Sequence, residues 1–233
     1  MPVEPVTSPE PRRVFKYLPE KHARSLLAIG QLRVGTLYDF RSMEHKKGIA
    51  DPKEGTKRVE AKIEYASGYL GLGDMSAVRA FNETWNGIFP TESPDFWMEG
   101  MTLANNFKAP DCYVFCASNV CSSRVMSEFE GADTCLEIAD WDGFLNALTG
   151  ALIARVPIQN RCGTTDVVYQ AREETWNEQD WGTSPIRIKE PEFAGQHEVR
   201  AVWIPSPSPI QPLIIEDSRL TKFVREIKTL PDG

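Results

Sequence analysis

The stretch from Gln196 to Pro205 constrains the fold more than any other, because it reads as a strand with one apolar and one charged face. An apolar and aromatic run begins at Val199, follows the turn residue Gly195, and closes in a Pro/Ser-rich segment at Pro205. Alternate residues of an extended backbone point to opposite faces, so three polar side chains share one face: Gln196, Glu198 and Arg200. Two interpretations stay open, a solvated edge with a weak Glu/Arg pair or a catalytic carboxylate at the mouth of a cleft.

Length and composition indicate a soluble globular protein. The chain has 233 residues, enough to bury a full core, with 41% hydrophobic and 10% aromatic residues. It contains no run of eighteen apolar residues, and its beginning, rich in Pro and Glu, does not resemble a signal sequence. We therefore expect a cytoplasmic protein.

The charge disfavours one class of partner. A net charge of −7 argues against a broad electrostatic surface for nucleic acid. Basic residues near the N-terminus allow either a local basic groove or ordinary solvated charges on a strand–helix unit: Arg12, Arg13, Lys16, Lys21, Arg24 and Arg33.

The five cysteines predict neither a disulfide framework nor a metal site. Their number is odd, and none stand in paired Cys-x-x-Cys spacing. Cys121, Cys135 and Cys162 have no histidine nearby at ligand spacing, so we expect no zinc site and, in a reducing compartment, no disulfide.

The hydrophobic periodicity predicts an α+β chain. Residues 1–13 hold four prolines and should form a flexible arm, after which 14–18 is a strand and 20–29 a helix ended by Gly30. Further strands are predicted at 31–35, 59–72, 111–118, 135–138, 156–158, 165–169 and 199–204, and further helices at 143–154 and 218–228. We expect one domain, 14–233, with a helical insertion around 76–100.

Several stretches together resemble a bacterial domain family of uncharacterised function. The strand Val14-Phe15-Lys16-Tyr17, the helix, and 32–40 with Asp51-Pro52-Lys53-Glu54 are similar to that family's aromatic-Lys-Tyr strand, helix and "LRFSSPSDFNDPFE"-like segment. Cys116-Ala117-Ser118 is similar to its "CFS"-like strand end, 129–133 to a Phe-Gly-Asp-like stretch, and Glu198-Val199-Arg200 to its late Glu-x-Arg. The similarity covers roughly 14–204.

This layout in turn looks like the ADP-ribosyltransferase fold. The resemblance implies two small packed antiparallel or mixed sheets with flanking helices. It puts Lys16 or Tyr17 at the first-strand position, Ser118 at the end of the second strand and Glu198 on the third. Gln196-His197-Glu198 matches the Gln-x-Glu form of the third motif, whereas Lys16 stands where the family has His or Arg.

The resemblance implies the chemistry of breaking the bond between nicotinamide and ribose of NAD. A carboxylate on the ribose stabilises the oxocarbenium-like cation more than the ground state, which lowers the barrier. Glu198 is the expected carboxylate, and Ser118 is expected to support that glutamate or the nicotinamide ribose. Gln196 is expected to orient the acceptor. The expected dinucleotide contacts are Lys16, Tyr17, Tyr38, Phe40 and Arg33.

Each of these residues also has a structural interpretation. Ser118 can be the polar stop of a buried strand, Lys16 an edge residue with its amine in water, and Tyr38 and Phe40 core. Asp51 and Glu54 suit a loop staple or a role in acceptor binding. A Ser–His–Asp hydrolase has no Gly-x-Ser-x-Gly elbow here, and a nuclease has only weak candidates: Asp133, Glu137, Asp140 and Asp142.

The sequence hypothesis is an NAD-dependent ADP-ribosyltransferase, a glycosyltransferase that uses NAD as substrate and no metal. The acceptor would be a protein side chain or a nucleic-acid base, with no membrane partner. The context implied by the resemblance is a bacterial toxin or an antiviral (phage) defence effector. The alternative is a non-catalytic binding module that has lost the first-strand His or Arg.

Overall fold

A computed structural model describes residues 12–42, 48–68, 71–206 and 209–232. Residues 1–11 of the predicted flexible arm lie outside these ranges. The contacts divide the chain into two compact units. Unit 1 is formed by the described parts of Met1–Lys53, Asp111–Val167 and Glu192–Gly233, and unit 2 by those of Glu54–Pro110 and Val168–Pro191. The single-domain expectation stays a prediction.

The described residues form four α-helices and fourteen strands, so the predicted α+β class is confirmed. In chain order these are β1 Val14–Leu18, α1 Glu20–Ile29, β2 Gln31–Thr36, β3 Thr56–Ser67, β4 Leu72–Gly73, α2 Met75–Thr84, β5 Trp97–Lys108, β6 Tyr113–Ser118, α3 Ser123–Ser127, β7 Thr134–Ile138, α4 Trp141–Ile153, β8 Ile158–Asp166, β9 Val168–Tyr169, β10 Glu173–Thr175, β11 Ile188–Lys189, β12 Glu198–Pro205, β13 Leu213–Glu216 and β14 Val224–Ile227. Short 3-10 helices span Asp39–Arg41, Pro185–Arg187, Pro191–Gln196 and Ser218–Phe223.

Unit 1 is built on one eight-stranded sheet that branches at β6. Along one edge β6 pairs with β12 over its whole length, and β12 pairs in turn with β8. Along the other edge β6 pairs with β2 near its start and with β1 at its end. The sheet continues from β1 to β7 and β14, and from β2 to β13. Strands β1 and β2 therefore separate beside the middle of β6.

The two faces of this sheet are covered differently. Val199, Ala201 and Trp203 of β12 lie on what we call the core face, in one cluster with the buried residues of α1 and α4. Because side chains alternate along a strand, Glu198, Arg200 and Val202 lie on the opposite face, which we call the site face. The apolar alternation of 199–203 thus sets which way the polar residues point.

Unit 2 contains a long hairpin with a helix on one face. β3 and β5 pair over most of their length, with β4 and β10 on the other edge of β3, and β9 pairs with β11. The α2 residues Val78 and Phe81 pack with Ile63 and Leu103 of the hairpin. Trp176 and Trp181 pack against the same cluster.

Some elements differ from the sequence expectations. The segment 218–228 is a 3-10 helix followed by β14, because Val224–Ile227 finds a partner in β7. The predicted pairing of 156–158 with 165–169 is wrong: β8 runs through Ile158–Asp166 and pairs with β12. Around 76–100, only Met75–Thr84 is α-helical.

Candidate functional site

Three stretches that are distant in sequence meet in one row of the unit 1 sheet. Glu198 at the start of β12 is the direct cross-strand partner of Ser118 at the end of β6. Ser118 is also the partner of Phe15 on β1. Directly opposed residues in an antiparallel pair have Cα atoms about 5 Å apart and share a face. The late glutamate, the mid-chain serine and the first strand are therefore neighbours on the site face.

Glu198 is a buried carboxylate in an ion pair. Its side chain is 4% exposed and that of Arg200 is 1% exposed, and Arg200 Nε donates a hydrogen bond to Glu198 Oε1 at 2.5 Å. The interpretation as a solvated edge face is therefore wrong: the Glu/Arg pair is real but buried. A guanidinium at this distance favours the ionised carboxylate. The site thus holds a carboxylate that is paired with a guanidinium and shielded from water.

The entry into β12 is conformationally unusual. His197 has φ +46°, a left-handed value that costs a non-glycine residue about 1 kcal/mol or more. Its carbonyl accepts a hydrogen bond from Asn119 N, and the Glu198 carbonyl accepts one from Val167 N. Both neighbouring strand ends therefore hold the turn that sets the position of Glu198.

Gln196 lies in a different backbone element from the one predicted. It ends the 3-10 helix Pro191–Gln196, so the expectation that it extends the strand beside Glu198 is wrong. The left-handed His197 interrupts the alternation on which that expectation depended. Gln196 is buried, and its Nε2 donates to the Gly48 carbonyl at 2.8 Å.

Ser118 and Tyr17 together hold the turn after β6. The Ser118 hydroxyl donates to the Val120 carbonyl at 3.2 Å and accepts from Val120 N at 3.1 Å. The Tyr17 hydroxyl donates to the same carbonyl at 2.8 Å and accepts from Ser122 N at 2.9 Å. Burial raises the pKa of Tyr17 well above its ordinary value of 10.0. Tyr17 shares the site face with Ser118, since it follows Phe15 by two residues.

Lys16 points to the core face, away from Glu198. Its amine lies 5.1 Å from the ring centre of Phe115 and donates to the Cys116 carbonyl at 2.7 Å. Cys116 lies on β6 between the residues that pair with β2 and the one that pairs with β1. The amine therefore bonds to the backbone where β1 and β2 separate. Of the two first-strand candidates, only Tyr17 is on the face of Glu198.

The candidates around β2 lie further along β6. Gly35 is paired with Val114, four residues or about 13 Å from Ser118, and the Phe40 ring packs against Gly35 so closely that an added Cβ would lie 2.8 Å from it. Arg33 Nη2 donates to Asp39 Oδ2 at 2.7 Å. The Tyr38 ring lies 3.8 Å from the Arg41 guanidinium carbon. These side chains lie in and directly after β2, whose pairing with β6 is at Tyr113 and Val114.

A second buried carboxylate stands in the same row. Glu137 on β7 is the partner of Phe15 and of Arg225 on β14, roughly 14–15 Å from Glu198 across three strand spacings. Its Oε2 accepts from Arg225 Nε at 2.5 Å and its Oε1 lies 3.6 Å from Arg13. No sequence motif connects Phe15 or Glu137 with Glu198, although alternation along β1 places Phe15 on the face of Tyr17.

The other acidic candidates have local structural contacts. Asp140 caps α4 by accepting from Gly143 N at 2.9 Å, and Asp133 accepts from Glu20 N at 2.7 Å. In their own units, Asp51 accepts from Lys53 N and Glu54 from Gly55 N, as a loop staple would. Among the described residues, no group of three or more His, Cys, Asp or Glu side chains is arranged to hold a metal ion.

No family model, curated protein or solved structure matches this chain. Within the described ranges no helix is long and apolar enough to cross a membrane.

Proposed function

We propose that the chain is an NAD-dependent ADP-ribosyltransferase that modifies a macromolecule. The observation that carries the proposal is the row formed by Glu198, Ser118 and the first strand at Phe15. A shared function of three distant stretches requires that they meet, and these three meet on one sheet face. The fold proposal follows: β1, α1 and β2, then β6 ending in Ser118 and β12 beginning with Glu198, form an ADP-ribosyltransferase-like unit.

In this mechanism Glu198 stabilises positive charge that develops on the nicotinamide ribose. The carboxylate is buried beside Arg200 and shielded from water, and an electrostatic interaction is worth more in such an environment than in bulk solvent. Ser118 and Tyr17 fix the adjoining turn. Gln196, near the start of β12, would orient the acceptor. Bound NAD supplies the bond that breaks and the ADP-ribosyl group that is transferred.

The dinucleotide contacts are assigned by position. Tyr17, on the face of Glu198, is the first-strand contact that we propose for the ribose. Arg33, Tyr38 and Phe40 would contact the more distant part of the dinucleotide, because their group lies along β6 from Ser118. Lys16 would not contact the ribose beside Glu198. Its role would be indirect, through the hydrogen bond from its amine to the Cys116 carbonyl where β1 and β2 separate. A role as a bacterial toxin or antiviral defence effector is part of this proposal.

The test compares Glu198→Gln with wild type and with Glu137→Gln. Each protein is incubated with NAD labelled in its adenylate half and with a bacterial extract, and label transfer and nicotinamide release are measured. Glu198→Gln should lower both by about 10²–10³-fold, because the oxocarbenium-like state loses its carboxylate. Glu137→Gln removes a buried carboxylate of the same row and should leave both near the wild-type values.

Equal activity of Glu198→Gln and wild type would overturn the role of Glu198. Circular dichroism spectra of both variants establish that any loss does not come from unfolding. Absence of turnover in the wild-type protein across extracts and pH would overturn the transferase itself.

A non-catalytic binding module is the second candidate. The observation that favours it is that the amine of Lys16, at the position of the family's His or Arg, bonds to the sheet backbone. Titration calorimetry with NAD separates the candidates further. NAD binding without nicotinamide release supports a module that binds the dinucleotide, whereas turnover abolished in Glu198→Gln rejects it.

A further inference from the structure

Two cysteines lie side by side on the site face of unit 1. Cys135 belongs to a small buried cluster with Tyr17 and Val125, and Cys121 packs against the same cluster. Cys135 is the cross-strand partner of Tyr17 on neighbouring strands β7 and β1. Both thiols are reduced in this structure.

The Tyr17 hydroxyl fixes this proximity. It bonds to the Val120 carbonyl and to Ser122 N, the backbone groups on either side of Cys121. Cys121, which lies between those two bonds, is thereby held over β1. Strand β7, which carries Cys135, is the neighbour of β1. The proximity of the two cysteines is therefore a consequence of the sheet register and of two hydrogen bonds.

The two thiols differ in access to solvent. Cys121 is partly exposed, whereas Cys135 is 1% exposed. Burial raises the pKa of both, that of Cys135 to about 12, and the Glu137 carboxylate raises both further. The titratable groups packed around each thiol are the other thiol and Tyr17, which is the cross-strand partner of Cys135. An oxidant from solution thus meets Cys121 first, and thiolate is scarce at neutral pH.

We propose that Cys121 and Cys135 are a modification site that forms an intramolecular disulfide when the folded protein meets a hydroperoxide. The peroxide oxidises the Cys121 thiol to a sulfenic acid and is itself reduced to water or an alcohol. The Cys135 sulfur then attacks the Cys121 sulfur, the S–O bond breaks, and the hydroxyl leaves as water with the Cys135 proton. Two thiols are oxidised and one peroxide is reduced by two electrons.

The proposed disulfide connects the turn after β6 with β7. That turn also holds the Ser118 hydroxyl through Val120. Oxidation would therefore join the segment beside the candidate site to the sheet covalently. The inference concerns the thiols alone and does not depend on the NAD chemistry.

The test treats the folded full-length protein with hydrogen peroxide, blocks remaining thiols with an alkylating reagent and maps peptides by mass spectrometry without reductant. The expected product is a linked pair of peptides containing Cys121 and Cys135, lighter by two hydrogen atoms than the reduced pair and separated again by dithiothreitol. Its rate of formation should rise about tenfold between pH 7 and pH 8, because the reactive thiolate fraction rises by that factor well below the pKa.

Variants make the result specific. Cys121→Ser should abolish the linked pair, and Cys116→Ser, which removes another partly exposed thiol, should retain it. Stable oxidation of Cys121 to sulfinic acid with Cys135 alkylated, or a disulfide between two molecules, would overturn the proposal. The wild-type map is decisive by itself if either variant fails to fold.

Discussion

At the scale of single residues, the buried ion pair of Glu198 and Arg200 has a consequence for stability. Both side chains are almost fully buried, and the Nε–Oε1 distance is 2.5 Å. Moving two charges out of water is costly, so such a pair contributes little net stability as a whole. Removing one partner is different, because it leaves the other charge in a poorly solvated environment.

This asymmetry predicts the outcome of a double-mutant cycle. Arg200→Met should lower the free energy of unfolding by about 3–5 kcal/mol, since the Glu198 carboxylate loses its guanidinium. The double variant Glu198→Leu with Arg200→Met should cost much less than the sum of the single changes. Urea unfolding followed by tryptophan fluorescence measures all four proteins. Additive costs would show that the two charges do not interact appreciably.

At the scale of elements, the join between α1 and β2 depends on a glycine. Gly30 ends α1 with φ +69°, and backbone N–H groups of this cap bond to the carbonyls of Leu26 and Ser25. A Cβ built on Gly30 would lie 1.9 Å from the Asp217 carbonyl oxygen. The helix therefore needs glycine here both for its backbone angle and for space.

Two Gly→Ala substitutions should consequently act in opposite directions. Gly30→Ala should destabilise the protein by more than about 1 kcal/mol, because a left-handed alanine is strained and its methyl group meets backbone. Gly150→Ala, in an exposed position of α4 whose added Cβ would meet only the tip of Arg219 at 3.5 Å, should stabilise it by up to about 1 kcal/mol. Chemical denaturation of each variant tests the pair, and destabilisation by Gly150→Ala would contradict the argument.

At the scale of the whole molecule, the free energy of unfolding should fall as the pH becomes alkaline. Burial raises the pKa of Cys135 from 9.0 to about 12 and also raises that of Tyr17 and Cys121. Between pH 9 and 12 the unfolded chain loses these protons while the folded chain keeps them, so the folded state binds more protons. The stabilisation is complete below about pH 9 and is lost as the pH rises toward the folded pKa.

The prediction is a fall in the free energy of unfolding between about pH 9 and pH 12, with each buried group contributing up to about 1.4 kcal/mol per pH unit above its unfolded pKa. Cys135→Ala should reduce the slope because it removes one of these groups. Urea unfolding under a reductant at several pH values measures both proteins. A stability that does not change over this range would refute the assignment.

Much of the fold could be predicted from local sequence. The strand at 14–18, the helix ended by Gly30 and the strand ending at Ser118 all depend on neighbouring residues, and the structure contains them. The strand pairings 156–158 with 165–169 and the helix at 218–228 were wrong, because their partners β12 and β7 are distant in sequence.

The sequence by itself determined which residues of β12 point together, since alternation along a strand is local geometry. It determined neither that Ser118 stands opposite Glu198 nor that Lys16 faces away from it. Register and strand order come from side-chain packing between distant segments, so only the tertiary structure decided them. The left-handed turn at His197, which separates Gln196 from the strand, was decided in the same way by its contacts with Ala194 and Asn119.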